Sequence, residues 1–245
     1  MKKLFFAGFL SLLTLVLSAQ VVSDMGVDND VNLSQLGNLN PGTAGARGFD
    51  NRYEGAKGSP FLYEEEWPLG DVYFIDGKSI IGELRLNMDL VQNEVYAQLI
   101  SGETMILFKE PIEKVVFKNG SEEVTYECRP TLAADRKKAV KKFYRVIHSG
   151  NYEVLKLPLK YFEKANFSGA YSPDVRHDSF TRQDEYYLKP PQAEHIRIKL
   201  KRTSLKKALP KRKKTIVNFL NRKKLYDIDE AALLALMDYL DTKND

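Results

Sequence analysis

A histidine between two carboxylates occurs in the stretch SPDVRHD, where Asp174 and Asp178 flank His177. A neutral imidazole oriented by a carboxylate can serve as a general base or a metal ligand. Pro173 marks the stretch as a loop, and neighbours in sequence rarely point at one substrate. The chain has no G-x-S-x-G nucleophile elbow, no H-E-x-x-H and no phosphate-binding glycine loop to accompany it. A hydrolase acting on envelope polymers would need His177 and Asp178 gathered with Glu64 or Glu66 in one concave site. The run Glu64-Glu65-Glu66 beside Asp71 has the chemistry for calcium. Three successive residues face one ion only on a sharply bent backbone, so the run reads as solvated. Phe61, Tyr63, Trp67, Tyr161-Phe162 and Tyr186-Tyr187 could stack on sugars, although alternation along strands makes them packing residues first. Cys128 is the single cysteine, so no intramolecular disulfide exists, and with three histidines there is little material for zinc. No metal site and no cofactor are expected.

Charge is the stronger chemical signal. Residues 195–224 carry 13 lysines and arginines and no acid, whereas residues 20–130 carry 9 basic and 19 acidic side chains. Residues 225–245 swing back, with 6 acidic and 1 basic. Arg197, Lys199, Lys201, Arg202, Lys206, Lys207, Lys211, Arg212, Lys213 and Lys214 interleave with Ile196, Ile198, Leu200 and Leu205. Such a tract can meet a polyanion: the phosphates of an envelope glycolipid, a teichoic-like polymer or extracellular nucleic acid. The competing expectation is internal neutralisation, with the basic faces against the acidic sheet and the acidic C-terminal helix.

The elements that must carry these residues follow from periodicity. From residue 71 the hydrophobic pattern alternates, broken by turn dipeptides at Asp76-Gly77, Ser101-Gly102, Asn119-Gly120 and Ser149-Gly150. Four hairpins at irregular spacing predict an α+β fold, an antiparallel meander forming an open sheet or partly closed barrel. Residues 133–142 read as a loop or one helical turn. The chain after Phe162 reads as loop through Gln183, with short strands in EYYLK and HIRIKL. The last forty residues read as helical, packed on the sheet. Thr203 or Ser204 would cap LKKAL, and Pro210 ends it. Ile216, Phe219 and Leu220 form one apolar stripe; Leu233, Leu236, Met237 and Leu240 form another. Asp227 and Glu230 resemble a capping box.

The N-terminus reads as an export signal. Lys2 and Lys3 precede an apolar run over residues 4–18, and Leu17-Ser18-Ala19 suits cleavage before Gln20. That run is shorter than the roughly twenty residues a spanning helix needs. Gln20 stands where a lipoprotein would carry cysteine. The expected organisation is a signal peptide over 1–19, a disordered leader over 20–47, a β-rich domain over 48–200 and a helical segment over 201–245 of the same domain. The glycines and prolines around residues 48–78 form a collar in which Phe61, Leu62 and Trp67 anchor the leader beneath the sheet. The glutamates between them stay exposed.

The strings YEGAKGSPFLYEEEWPLGDV, FYRVIHSGNYEVL and DEYYLK…TSLKKAL…IVNFLNRKKL…DEAALLALMDYL resemble a group of exported cell-envelope proteins of Gram-negative bacteria. The resemblance covers nearly the whole chain after the signal. It implies an envelope setting, periplasmic or at the cell surface. It carries no assigned activity, so no catalytic residue is transferred. The expectation is an envelope protein with a binding or structural role, partnered by an envelope protein or an anionic envelope polymer, not by intracellular nucleic acid. A hydrolase is the alternative from another class.

Overall fold

The computed structural model describes residues 46–48, 53, 55–64, 66–99, 102–132, 140–166 and 177–243. The expected signal peptide, most of the expected leader and residues 133–139 lie outside the described residues, as does Asp174.

Strands β1 (Ala46–Gly48), β2 (Leu69–Phe74), β3 (Ser79–Asp89), β4 (Glu94–Gln98), β5 (Thr104–Leu107), β6 (Ile112–Asn119), β7 (Glu122–Pro130), β8 (Lys141–Ser149), β9 (Glu153–Leu157), β12 (Glu185–Lys189) and β13 (Ile196–Ile198) make one sheet. Strands β10 (Lys160–Glu163) and β11 (Ser179–Arg182) pair separately. Helices α1 (Arg202–Ala208), α2 (Lys213–Arg222) and α3 (Glu230–Thr242) complete the chain. The main sheet is open and antiparallel, in the order β1-β5-β4-β3-β2-β6-β7-β8-β9-β12-β13. The α+β meander with helices on it is therefore the architecture, and the four turn dipeptides sit where strands reverse.

Two local expectations change. Ala46 and Arg47, read as the end of a disordered leader, pair with Leu107 and Ile106 on β5. Residues 179–182, read as loop, form β11 against β10, with Phe162, Phe180 and Tyr53 clustering at ring separations of 5.2–5.5 Å.

The meander is also not laid out flat. After β5 the chain returns beside β2, four strand spacings away, which in a flat sheet is about 19 Å. Only residues 108–111 make the link, and they are folded into a turn in which Ile112 N donates to Lys109 O at 3.2 Å. Such a link cannot span a flat sheet, so β2 to β6 must curl. Gly70 sits at the tightest point: a Cβ there would lie 2.6 Å from both Leu86 Cδ1 and Val116 O. Next to it a β-bulge displaces Asp71, whose buried carboxylate accepts from Gly82 N at 2.9 Å and pairs with Lys118 at 2.7 Å. The ladder bond lost at the bulge is replaced by a side chain.

Curling closes a first core around Leu84, Leu86, Met88, Val115, Phe117 and Tyr126. A second core joins Val154, Leu188 and Ile198 to the helices through Leu205, Ile216, Phe219, Leu220, Leu233, Leu236, Met237 and Leu240. Both predicted helical stripes are thus buried. Along β8, Phe143, Arg145 and Ile147 alternate onto one face; Phe143 enters the first core and Ile147 packs against the second. Tyr144, Leu155, Leu157 and Tyr187 pack on the opposite face.

The caps differ from the sequence reading. Lys201 precedes α1 without a side-chain cap, and Ser204 lies inside the helix, its Oγ accepting from Lys199 N at 2.9 Å. Asp229, and not Asp227, caps α3, accepting from Ala232 N at 2.7 Å. Glu230 is thereby free to reach the sheet.

The collar is held by its backbone. Leu62 N donates to Met88 O, Leu90 N to Pro60 O, and Asn87 exchanges two bonds with Tyr63. Lys160 Nζ donates to the carbonyls of Ser59 and Phe61, both at 2.8 Å. Leu62 packs against the first core. Phe61 and Trp67, expected to be largely buried, are only half-buried, while Glu64 and Glu66 are exposed. A strap hydrogen-bonded along the end of β3 lies on the sheet and not beneath it, so its aromatic rings keep one side toward solvent.

Candidate functional site

The basic tract begins on β13, an edge strand whose alternation buries Ile198 and turns Arg197 outward. Arg197 pairs with Glu185 at 2.6 Å. In α1, Leu205 and Ala208 face the core, which forces the remaining positions toward solvent. Lys199, Lys201, Lys207, Lys211, Lys213 and Lys214 are exposed and Lys206 is half-buried. None of these seven lysines makes an ion pair among the described residues.

Two candidate anion ligands have a different job. Arg202 braces the helices, donating from its two terminal nitrogens to Asn221 Oδ1 at 3.0 Å and Leu225 O at 2.6 Å. Its guanidinium lies over the Tyr226 ring at 5.8 Å. Arg212 is half-buried and already engaged within the fold. Neither is available to a ligand as the exposed lysines are.

The expected internal neutralisation is not what the acids do. Asp229 caps α3. Glu230 reaches Lys156 at 2.7 Å and Arg145 at 3.6 Å, and accepts from the Tyr186 hydroxyl at 3.1 Å. Asp184 takes Lys156 from another side at 3.0 Å. Burial opposes the charge on Lys156, but Glu230 and Asp184 outweigh it and raise its pKa. Asp238 and Asp241 both face His148 Nε2, at 3.2 and 3.4 Å. Among the sheet acids, Glu122 pairs with Arg145, and Glu127 and Glu153 with Arg129. These acids are matched to cations of the sheet, and among the described residues the lysines of 199–214 are left without ion pairs.

Beside the tract, the β12–β13 connection and the turn between α1 and α2 frame a cleft of about 510 Å³. Its floor is apolar, with Tyr152, Pro190, Pro191, Ile196 and Leu209, and Lys211 stands on its rim.

The histidine reading moves. His177 is exposed and makes no hydrogen bond or ion pair among the described residues. Asp178 is occupied in structure, its side chain accepting from Ala165 N at 2.6 Å and its carbonyl from Lys57 N at 2.7 Å. Glu64 pairs with Lys160 at 3.3 Å. The structure therefore does not assemble His177, Asp178, Glu64 and Glu66. It assembles two other histidines with carboxylates. His148 is held by Asp238, Asp241 and Tyr152 O, the last at 2.6 Å, and its side chain is 9% exposed. His195 bonds Glu153 at 2.7 Å, and Arg129 grips the same carboxylate with two bonds. Burial pushes the His195 pKa down, with Glu153 opposing only in part. Both rings are largely covered and bonded to their partners, an arrangement that clamps elements together. Sequence reading missed them because their partners lie up to 93 residues away. Among the described residues no group of three or more His, Cys, Asp or Glu is placed to hold a metal, and no helix is long and apolar enough to cross a membrane.

Fold and surface together define an open, curled antiparallel sheet with a cationic helical face. No family model, no curated protein and no solved structure matches this chain.

Proposed function

We infer that this chain is an exported cell-envelope protein that binds phosphate-bearing polyanions through the lysines of residues 199–214. The observation that carries this reading is the mismatch of charge: seven lysines without ion pairs among the described residues, close to a helix whose acids are committed to Arg145, Lys156 and His148. Uncompensated cations on a folded surface attract polyanions and gain from counterion release on binding. The apolar cleft beside Lys211 gives the acyl portion of an anionic lipid a place to lie. The export signal of residues 1–19 and the resemblance to envelope proteins supply the setting.

Sedimentation with phosphatidylglycerol vesicles, phosphatidylcholine vesicles and soluble polyphosphate tests the reading. Binding to the two anionic probes and not to phosphatidylcholine is expected, weakening on the order of a hundredfold between roughly 50 and 200 mM salt. Vesicle binding that exceeds polyphosphate binding points to a lipid surface; the reverse points to a soluble polymer. The variant K211E/K213E/K214E, with unchanged circular dichroism, should lose most of the affinity. Absence of binding at low salt, or binding that ignores salt and this variant, overturns the reading.

A further inference from the structure

We propose that a shallow groove on the outer face of β3 and β4, with Trp67 at one end, binds an unbranched β-linked oligosaccharide. The proposal is independent of the anion-binding surface, which lies on other elements.

Trp67 leaves the collar half-buried and lines a hollow of about 450 Å³ together with Glu66, Arg85 and Gln98. An adjoining hollow of about 420 Å³ shares Arg85 and Gln98 and adds Leu69, Glu83 and Leu99. The two hollows meet at Arg85 and Gln98, which line both. The indole is fixed in place: Phe61 and Tyr96 pack on it at 5.5 and 6.3 Å and on each other at 5.1 Å. Arg85 Nη1 donates to the backbone carbonyl of Trp67 at 3.1 Å, which ties β3 to the strap at this point.

Packing elsewhere absorbs several of the other aromatics named for sugars, although Tyr161 is exposed on β10. Tyr187 is buried against Tyr144, and Tyr63 packs on Phe117. Trp67 keeps an accessible face and gathers planar polar groups around it. A pyranose whose hydroxyls are all equatorial presents a face of C–H bonds, and that face suits an indole platform. Its hydroxyls then lie in the ring plane, where Glu66 accepts, Arg85 donates and Gln98 does both. Glu83 adds a further acidic group to the lining of the adjoining hollow.

Trp67 is the only tryptophan of the chain, so its emission reports on this groove alone. Titration with a β-1,4-linked N-acetylglucosamine tetrasaccharide should change that emission saturably, whereas maltotetraose, α-linked and helical, should change it little. Q98A, with free-state emission unchanged, should weaken binding about tenfold, and R85A at least as much. W67A, followed by calorimetry, should abolish it. Three results overturn the proposal: no emission change and no heat with the β-linked probe, equal binding of both probes, or unaltered affinity in Q98A and R85A.

Discussion

The side-chain amide of Asn93 pairs with both backbone polar groups of Phe143, accepting from Phe143 N at 2.8 Å and donating to Phe143 O at 3.3 Å. Asn93 sits in the β3–β4 turn at φ 54° and is buried. It completes, with a side chain, the strand pairing that curl brings near but that no neighbouring strand supplies. Asn93→Ala would leave an N–H and a carbonyl of Phe143 buried without partners. The expected cost is about 2–4 kcal/mol in urea unfolding. Asn93→Gly accepts the left-handed backbone yet loses the amide, so it should be destabilised nearly as much. Near-wild-type stability of the glycine variant would show that backbone conformation alone selects Asn93.

Gly150 lies against the far end of α3. A Cβ at this position would fall 1.8 Å from Asp241 Oδ2. Gly150→Ala should therefore displace Asp241 from His148 and from Tyr152 N, costing about 1–3 kcal/mol. Combining it with Asp241→Ala should recover part of the loss, because the two changes share one contact. Strict additivity in the double variant would argue against the clash.

The Arg129–Glu153–His195 cluster predicts a stability that falls on acidification. Burial pushes the His195 pKa below its ordinary 6.5. For Glu153 burial acts upward, but Arg129 and then His195 outweigh it and hold the carboxyl below its ordinary 4.5. Both groups bind protons more readily when unfolded. Their contributions are thus complete above the unfolded values and are lost as pH drops through the folded ones. The His195 contribution should begin to fade near pH 6.5 and that of Glu153 near pH 4.5. Urea midpoints measured between pH 7.5 and 4 should decline, and His195→Gln should flatten the upper part of the decline. A midpoint that rises from pH 7.5 to 5.5 relative to that variant would contradict the assignment.

Cys128 should behave as an inert thiol. Burial pushes its pKa up to about 11, and its Sγ donates to Lys109 O at 3.4 Å. At pH 8 roughly a thousandth of it is thiolate, so disulfide-exchange labelling of the native protein should run about a hundredfold slower than in urea. Equal rates in the two states would mean that the link between β5 and β6 does not cover this residue.

Much of the fold is legible along the chain because its signals are local. Asp76-Gly77 and Asn119-Gly120 announce reversals through backbone conformations that few residues adopt, and Gly77 and Gly120 do show φ of 85° and 62°. The stripes of Leu233, Leu236, Met237 and Leu240 and of Ile216, Phe219 and Leu220 announce buried helix faces. The caps were harder to read. Asp227 and Asp229 have the same side chain two residues apart, and only the register that sends Glu230 toward Lys156 chooses between them.

The sequence by itself determined the main strands and helices, though not β1 or β11, together with the turns and the segregation of charge, since each depends on residues a few positions apart. Only the tertiary structure decided which charges meet. Glu230 could equally have faced Lys211 by composition, yet the curl of the sheet sets it on Arg145 and Lys156, and among the described residues the lysines of 199–214 stay without ion pairs. In the same way Trp67, held by Phe61 of the collar and Tyr96 of β4, became the wall of a groove and not part of a core. Pairings across ninety residues follow from the sum of all strand registers, and no short stretch of chain encodes that sum.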